Sequence, residues 1–588
     1  MDIEDLTRFD RNSLFETDLV IVGGGPAGLT IAREFFDSSV RVLVLESGLL
    51  DETPDHAALT EVESIGEPNG VQKRERRTRF HGASAPFWSQ ELQPYGVRCR
   101  ALGGSTHAWA GKSAAFDAID FAARPWVPHS GWPVAQAALA SYIDRAAFVL
   151  NLGPNAYDET IWKLVGMRPP EPHLHAEGLR DFFWQFARSR IDQLDIMRFG
   201  REFTTFQAKN VRVLLNATVT NIELAADGSS FQGLDIATID GIASKVRAKC
   251  AVVAASAIEN PRLLLASNKV QAAGIGNSRD QVGRYLMDHA SARIGRFEPG
   301  DLGPVIKRFG FYGVRHDGQT HMYMHGLALS PELQERERLL NSAVYFLPER
   351  SPDDPWDALK RLLRRKSAHP AQDMLAVMAG AGLLTKGVGM RMLASSAMPA
   401  PLKDFIVNTA IRYSPNLVAG EFQDRGLPHK LTGLWVDAIT EQRPDPASRI
   451  TLSERTDRLG VPLACVNWRI GDDERQTIVR IADMVSDAFG RAGLPKPILE
   501  GWVAQKRLTD AMIIDMAHTL GTTRMSQTPN SGVVDVNCRV HGVRGLYVAG
   551  GSVFPTSGHA NPTLMILALA IRLADTLKAE FAQLDVAA

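Results

Sequence analysis

The sequence predicts an α/β protein of two lobes, and three observations carry that prediction. The chain has 588 residues, well past the ~250–300 at which one hydrophobic core stops growing. It opens with a strand, glycine turn, helix, strand pattern between Thr17 and Gly48. A β-rich stretch from Asn210 to Ala255 and a strand-and-glycine unit from Gly545 onward share that character, whereas the segments between them do not.

In the first unit, Asp18 to Val22 is a short apolar run ending in Gly23-Gly24-Gly25, Leu29 to Phe36 has helical spacing, and Val40 to Leu45 is a second β-branched run. That is one βαβ unit. In the second, alternating apolar residues with Asp227-Gly228 and Asp240-Gly241 at the corners read as hairpins, and Ala251 to Ala255 runs into a helix start at SAIENPRLLLAS. In the third, Gly545 to Gly551 is a strand into a turn, and Asn561-Pro562-Thr563 opens a long amphipathic helix to Phe581. Residues 1–115, 205–300 and 505–588 are expected to assemble one discontinuous nucleotide-binding domain. Residues 116–204 and 301–504 form the second domain, with 351–414 as a helical insertion. Arg124 to Val134, rich in Pro and Trp, suits a pocket wall. Ser351 to Lys366 reads as a helix with an acidic start and a basic end. Its run Lys360 to Lys366 reads as a solvated terminus rather than a membrane or partner contact.

Composition narrows the function. A net charge of -1 and a pI near 7.0 leave no electrostatic footprint for nucleic acid. The four cysteines, Cys99, Cys250, Cys465 and Cys538, have no zinc or disulfide spacing and read as packing residues of a reduced compartment. His173 and His175 read as loop residues, and no metal is expected. The acidic stretch Met1 to Asp18 lacks the features of a secretory signal, which places the protein in the cytoplasm. No membrane span is expected, since the most apolar stretch, Met374 to Ala394, is broken by Lys386 and Arg391.

Gly23-x-Gly25-x-x-Gly28 after a strand and opening a helix is a dinucleotide fingerprint. The first glycine allows the tight turn, the second lets backbone N–H groups approach a pyrophosphate, and the third lets helix and strand pack closely, with Pro26 and Ala27 at the helix start. Glu46, about 18 residues beyond Gly28, is placed to accept hydrogen bonds from ribose hydroxyls. FAD and NAD both use this unit, so it leaves the choice open. Leu102-Gly103-Gly104-Ser105 and Gly550-Gly551 supply further turns for a long cofactor.

Six segments carry a resemblance: GGGPAGL from Gly23, LGGSTHAW from Leu102, ENPRLLLAS from Glu259, VGRYLMDH from Val282, HTLGTTRM from His518, and the closing run from Val540 containing GHANPT. In these the chain resembles the glucose-methanol-choline oxidoreductases, and among them the pyranose 2-oxidase and glucoside 3-dehydrogenase branch. The resemblance implies FAD on a Rossmann-type domain and a substrate domain with an antiparallel sheet covered by helices. It assigns Gly23, Gly25, Gly28 and Glu46 to the dinucleotide, Gly103, Gly104 and Ser105 to the diphosphate and flavin, Val219 to the adenine end, and Gly550, Gly551, Asn561, Pro562 and Thr563 to the closing wall. Some members tether the flavin through a histidine after the GG turn. Here Ala108 takes that position and His107 stands one before it, so FAD is expected to be non-covalent.

The resemblance also implies the chemistry. His518 takes the position of the base that removes the hydroxyl proton, and Asn561 that of its hydrogen-bonding partner. His559 is a second candidate, either lining the pocket or bonding the turn. Gln442 and Arg443 fall where the substrate lobe lines the pocket or on a surface loop. The expected reaction is oxidation of a secondary alcohol on a polyol, sugar or glycoside, at C2 or C3, with oxygen or another carrier as electron acceptor. A non-sugar alcohol or natural-product intermediate, and a non-catalytic flavoprotein subunit, are the alternatives. The oligomeric state is left open.

Overall fold

The computed structural model describes residues 2–66, 74, 85–174, 178–192, 195–363, 367–385, 399–413 and 430–587. His175, the end of the basic run at 364–366, and most of the later half of Met374 to Ala394 lie outside them.

The first sheet is the frame of the nucleotide-binding domain. Strands Asp2–Asp5, Val211–Leu215, Val42–Leu45, Leu14–Val22, Ala243–Val253 and Leu546–Val548 run parallel in that spatial order. Phe231–Ala237 and Thr218–Leu224 extend it antiparallel from the other part of Ala243–Val253. Strands covered on both faces need unbroken apolar runs, and VLVL at 42–45, wholly buried, is one. Helix Pro26–Glu34 and the C-terminal helix Thr563–Ala587 pack together within this core. The C-terminal helix is apolar around most of its early circumference, with Leu564, Met565, Leu567, Ala568 and Ile571 all buried, as an internal helix must be.

The second sheet is antiparallel, in the order Ile498–Leu499, Ala290–Phe297, Leu431–Thr440, Ser342–Arg350, Gln319–Leu329, Leu179–Phe186, Lys112–Ser113. Helix Asp472–Arg491 covers one face through Ile478, Ile481, Ala482, Val485 and Phe489, spaced for one helical stripe. The stripe meets Phe297, Phe346 and Val436 of the sheet. One boundary needs correcting. Ala290–Phe297, expected among the nucleotide-binding stretches that end at 300, pairs instead with Leu431–Thr440 in the second sheet. A strand does not encode its partner locally, so the change of sheet is invisible until the pairing is seen. A small third sheet joins Val62–Ser64 to Pro462–Asn467 and Arg449–Thr456.

Within 351–414 the described residues form helices Pro355–Leu363, Pro370–Ala379 and Ala400–Tyr413. All four cysteines are buried free thiols. Among the described residues no helix is long and apolar enough to cross a membrane.

Candidate active site

A cavity of about 1460 Å³ runs from the glycine turn of the first sheet to the floor of the second. That exceeds the ~300–1,000 Å³ of an ordinary small-molecule site, leaving room for a long ligand and a second, small one.

The glycine end is built by close approach. Gly23 has φ +108°, and a Cβ there would lie 2.6 Å from the Ala254 carbonyl oxygen. A Cβ at Gly28 would lie 2.1 Å from the carbonyl oxygen of Gly23, so only glycine lets the helix sit this near its own turn. At Gly25 a Cβ would meet no protein atom within 4 Å, because it would project into the cavity. Gly103, at φ +103°, packs against Gly200 and donates its N–H to the carbonyl of Gly24 at 2.7 Å. That hydrogen bond fastens the two glycine turns together.

The wall carries Gly23, Gly25, Pro26, Ala27, Glu46 and Gly104, and further along Ser105 and Val219. Gly550, Gly551, Asn561, Pro562, Thr563 and His518 complete it. Gly28, Gly103, His107 and His559 are not on it. Gly28 and Gly103 serve the packing just described. The His107 ring donates through Nε2 to the Leu102 carbonyl at 2.9 Å, leaving Ala108 on the cavity side. Glu46 accepts the backbone N–H groups of Gly24 at 2.9 Å and Gly48 at 2.8 Å. Burial pushes its carboxyl up to about 7 against those bonds and the nearby Arg100. Beside it, Glu259 binds Arg98, Arg100 and Arg262 at 2.5, 3.2 and 2.9 Å. Burial opposes ionisation of Glu259, but the three guanidinium groups outweigh it and hold the carboxyl down to about 2. Two helix N-termini, at Pro26 and Thr563, open on the same cavity and favour negative charge there.

At the other end stands His518. Its backbone N–H donates to Asp288 Oδ2 at 2.9 Å, while Asp288 Oδ1 accepts from His289 and Met516 at 2.7 and 2.8 Å. One buried carboxylate thus clamps two segments about 230 residues apart in sequence. Ala517, at φ 60°, sits in the left-handed region just before the histidine. The His518 ring has Nδ1 3.0 Å from His289 Nδ1 and Nε2 3.3 Å from Asn561 Nδ2. His289 is fully buried, and its Nε2 lies 3.2 Å from the Ser557 carbonyl. Burial pushes its imidazole down to about 4, so it is neutral near pH 7. A carbonyl can only accept, so the proton of neutral His289 lies on Nε2 and its Nδ1 offers a lone pair. His518 therefore donates from Nδ1 and presents the lone pair of Nε2 beside the Asn561 amide. Asn561 Oδ1 is buried without a protein partner.

Sequence reasoning singled out His518 and Asn561 but missed His289 and Asp288. Their signal was the dipeptide closing VGRYLMDH. Gln442 is buried rather than exposed. Its Oε1 accepts from the Asp288 backbone and from Trp468 Nε1, both at 2.8 Å, so it braces the clamp. Arg443 pairs with Asp473 at 2.8 Å. His559 is fully buried edge-on against Phe182, with Nδ1 3.8 Å from Asp117, and neither ring nitrogen has a hydrogen bond. Burial drives it down to about 3, opposed by Asp117. His173 is exposed.

The opposite wall comes from the second sheet and its neighbours: Trp109, Phe186, Met324, Tyr345, Leu347 and Ile439, mostly apolar. Lys112 also lines it, its Nζ 4.0 Å from the ring centre of Trp184 and 3.9 Å from that of Tyr345.

A glycine-lined cradle and a histidine thus share one cavity. Residues 444–570, which contain His518 and Asn561, match the family model described as GMC oxidoreductase. The chain is similar to 2-methyl-1,2-propanediol dehydrogenase of Mycolicibacterium austroafricanum, 22% identical over 97% of this chain and 96% of the relative. It is also similar to paromamine 6'-oxidase of Streptomyces fradiae, 23% identical over 95% and 90%. Among solved structures, an FAD-dependent oxidoreductase from Chaetomium thermophilum shares the fold, with a TM-score of 0.53 and 17% identity over 96% of this chain and 100% of that one.

Proposed function

We propose that this enzyme is an FAD-dependent alcohol oxidoreductase that converts a secondary hydroxyl of a sugar or glycoside, at C2 or C3, to a ketone. The observation that carries the reading is the orientation of His518. Its Nδ1 is engaged by His289 and its Nε2 lone pair faces Asn561 in the cavity that also holds the glycine cradle.

The residues fit the cofactor. Gly23, Gly25 and Gly104 present backbone at the wall, Glu46 suits ribose hydroxyls, and the two helix N-termini suit a diphosphate. Asn561 leaves an acceptor without a protein partner. His107 is turned onto a carbonyl and Ala108 faces the cavity, which supports non-covalent binding. FAD would supply an electrophilic ring nitrogen that accepts hydride. His518 Nε2 takes the proton of the substrate hydroxyl. The Asn561 N–H that meets Nε2 at 3.3 Å also reaches an oxygen bound there, orienting the hydroxyl and stabilising charge as it develops on oxygen. His289 holds the base in its productive tautomer. The buried Asp288 keeps the main chain beneath it fixed.

A sugar-type substrate is supported by the closing GHANPT segment and by a relative named for paromamine. The test is anaerobic bleaching of the flavin against a panel of glycosides and simple alcohols, in wild type and His518→Ala. The reading requires bleaching by glycosides in the wild type and its loss in a variant that keeps its flavin. Bleaching by simple alcohols alone, or an active His518→Ala, overturns it.

A further inference from the structure

We propose that Lys112 is an anion-recognition point in the substrate cavity, and that the alcohol this enzyme oxidises carries a carboxylate. The inference rests on the alcohol-oxidising reading above and specifies its substrate class.

Lys112 lies on the short edge strand Lys112–Ser113, held in register by pairing with Phe186 and Gln185. Its ammonium is stacked against two aromatic faces, Trp184 and Tyr345, at 4.0 and 3.9 Å. Ring faces offset part of the cost of desolvating a cation, but they accept none of its N–H bonds in ordinary geometry. Among the described residues no oxygen lies within hydrogen-bonding distance of Nζ. Asp437, buried on Leu431–Thr440, acts on it only through space. Other cations on the cavity wall are differently placed: Lys360 pairs with Asp357 at 3.1 Å, and Arg98 and Arg262 are bound to Glu259. Lys112 is therefore a half-buried amine stacked on two rings at the cavity wall, and burial pushes it down to about 7. An anionic group entering the cavity would favour its charged form and accept its N–H bonds.

Position joins this cation to the chemistry. Its charge is felt at both His289 and His559, so it lies within electrostatic range of the group that braces the base. A substrate with its hydroxyl at His518 and an anionic substituent at Lys112 would be fixed at two points. A carboxylate is favoured over a neutral hydroxyl because charge-assisted hydrogen bonds are roughly twice as strong as neutral ones. A single ammonium matches a monoanion.

The test compares two substrates that differ only in this group, a methyl glycoside and the corresponding methyl glycosiduronic acid, on the flavin-loaded enzyme. The wild type is expected to favour the acid by at least about tenfold in kcat/KM. Lys112→Met is expected to bring the ratio to about one, and Lys112→Arg to preserve it. An unchanged ratio in Lys112→Met, or a wild type without preference, overturns the inference. Calorimetric titration with benzoate reads the same site without turnover: binding should weaken at least about tenfold in Lys112→Met, and equal binding by both proteins overturns it. Neutral glycosides oxidised without advantage to the acid would remove this inference and leave the alcohol-oxidising reading standing. Loss of all alcohol oxidation beside Lys112-dependent benzoate binding would do the reverse.

Discussion

The Nδ1 atoms of His289 and His518 lie 3.0 Å apart, and the far nitrogen of His289 is committed to the Ser557 carbonyl. Two imidazoles meeting through like-named nitrogens can form a hydrogen bond only if one carries the proton and the other a lone pair. The carbonyl decides which. Removing His289 frees the second tautomer of His518 and leaves its Nδ1 proton unpaired.

His289→Ala is accordingly expected to lower the rate of flavin reduction at least about tenfold while changing KM little. The acid limb of the kcat/KM profile should move with it. His289→Gln, whose side-chain oxygen can accept from Nδ1, should recover part of the rate. Equal damage by Ala and Gln, with an unmoved pH profile, would point to a packing role alone.

Gly25 and Gly28 should separate ligand binding from folding. Alanine at Gly28 forces a contact of 2.1 Å with the Gly23 carbonyl, and overpacking of this kind costs about 1–3 kcal/mol or more. Alanine at Gly25 meets no protein atom within 4 Å. Gly28→Ala should lower Tm with or without flavin. Gly25→Ala should leave the flavin-free Tm nearly unchanged and weaken flavin retention, measured by flavin fluorescence after gel filtration.

Arg124 and Glu441 form a doubly bonded ion pair at 2.7 and 2.5 Å, with side chains only 1% and 0% exposed. Leaving either charge alone in that interior costs roughly 3–5 kcal/mol. Glu441→Gln is expected to lower the urea midpoint sharply. Arg124→Met with Glu441→Leu should be less harmful than either single change. If the single variants prove as stable as wild type, the pair is not buried in solution.

His559 gives a pH signature. Its folded value, about 3, lies below the ordinary 6.5. Between those values the unfolded chain binds the extra proton, so the penalty is absent above about 6.5 and grows as pH falls toward 3. Other buried groups, such as Glu46 and Glu474, each raised to about 7, act with the opposite sign in part of that window. The informative quantity is therefore a difference. The Tm of His559→Phe minus that of the wild type should increase from pH 8 to pH 4.5, and a difference independent of pH would contradict the assigned burial.

The parts of this molecule written locally were legible in the sequence. The turn at Gly23, the helix after it and the strand at Val42 are neighbours in the chain; Gly28 is required by its contact with Gly23 and Gly25 faces the cavity, although Gly23 itself is pressed by Ala254, far along the chain. His518 and Asn561 were legible only through resemblance, since nothing local separates them from other buried polar residues. His289, Asp288 and Lys112 were not identified, because their meaning lies in partners far along the chain: Ser557, Met516 and His518 for the first two, Trp184 and Tyr345 for the third. The second sheet hid for the same reason. Its strands from 290, 319, 342 and 431 pair across long connections, and Ala290–Phe297 carries no local mark of which sheet it joins.

The cavity is walled on two sides by separate sheets, and this has an evolutionary corollary. The glycine turns belong to the first sheet and the Asp288 clamp sits at the ends of Ala290–Phe297 and Leu431–Thr440, whereas Lys112, Tyr345 and Leu347 stand on other strands of the second sheet. Replacements along those strands can redraw which alcohols are admitted without disturbing how they are oxidised. Descendants of this architecture could therefore diverge in diet while keeping their chemistry.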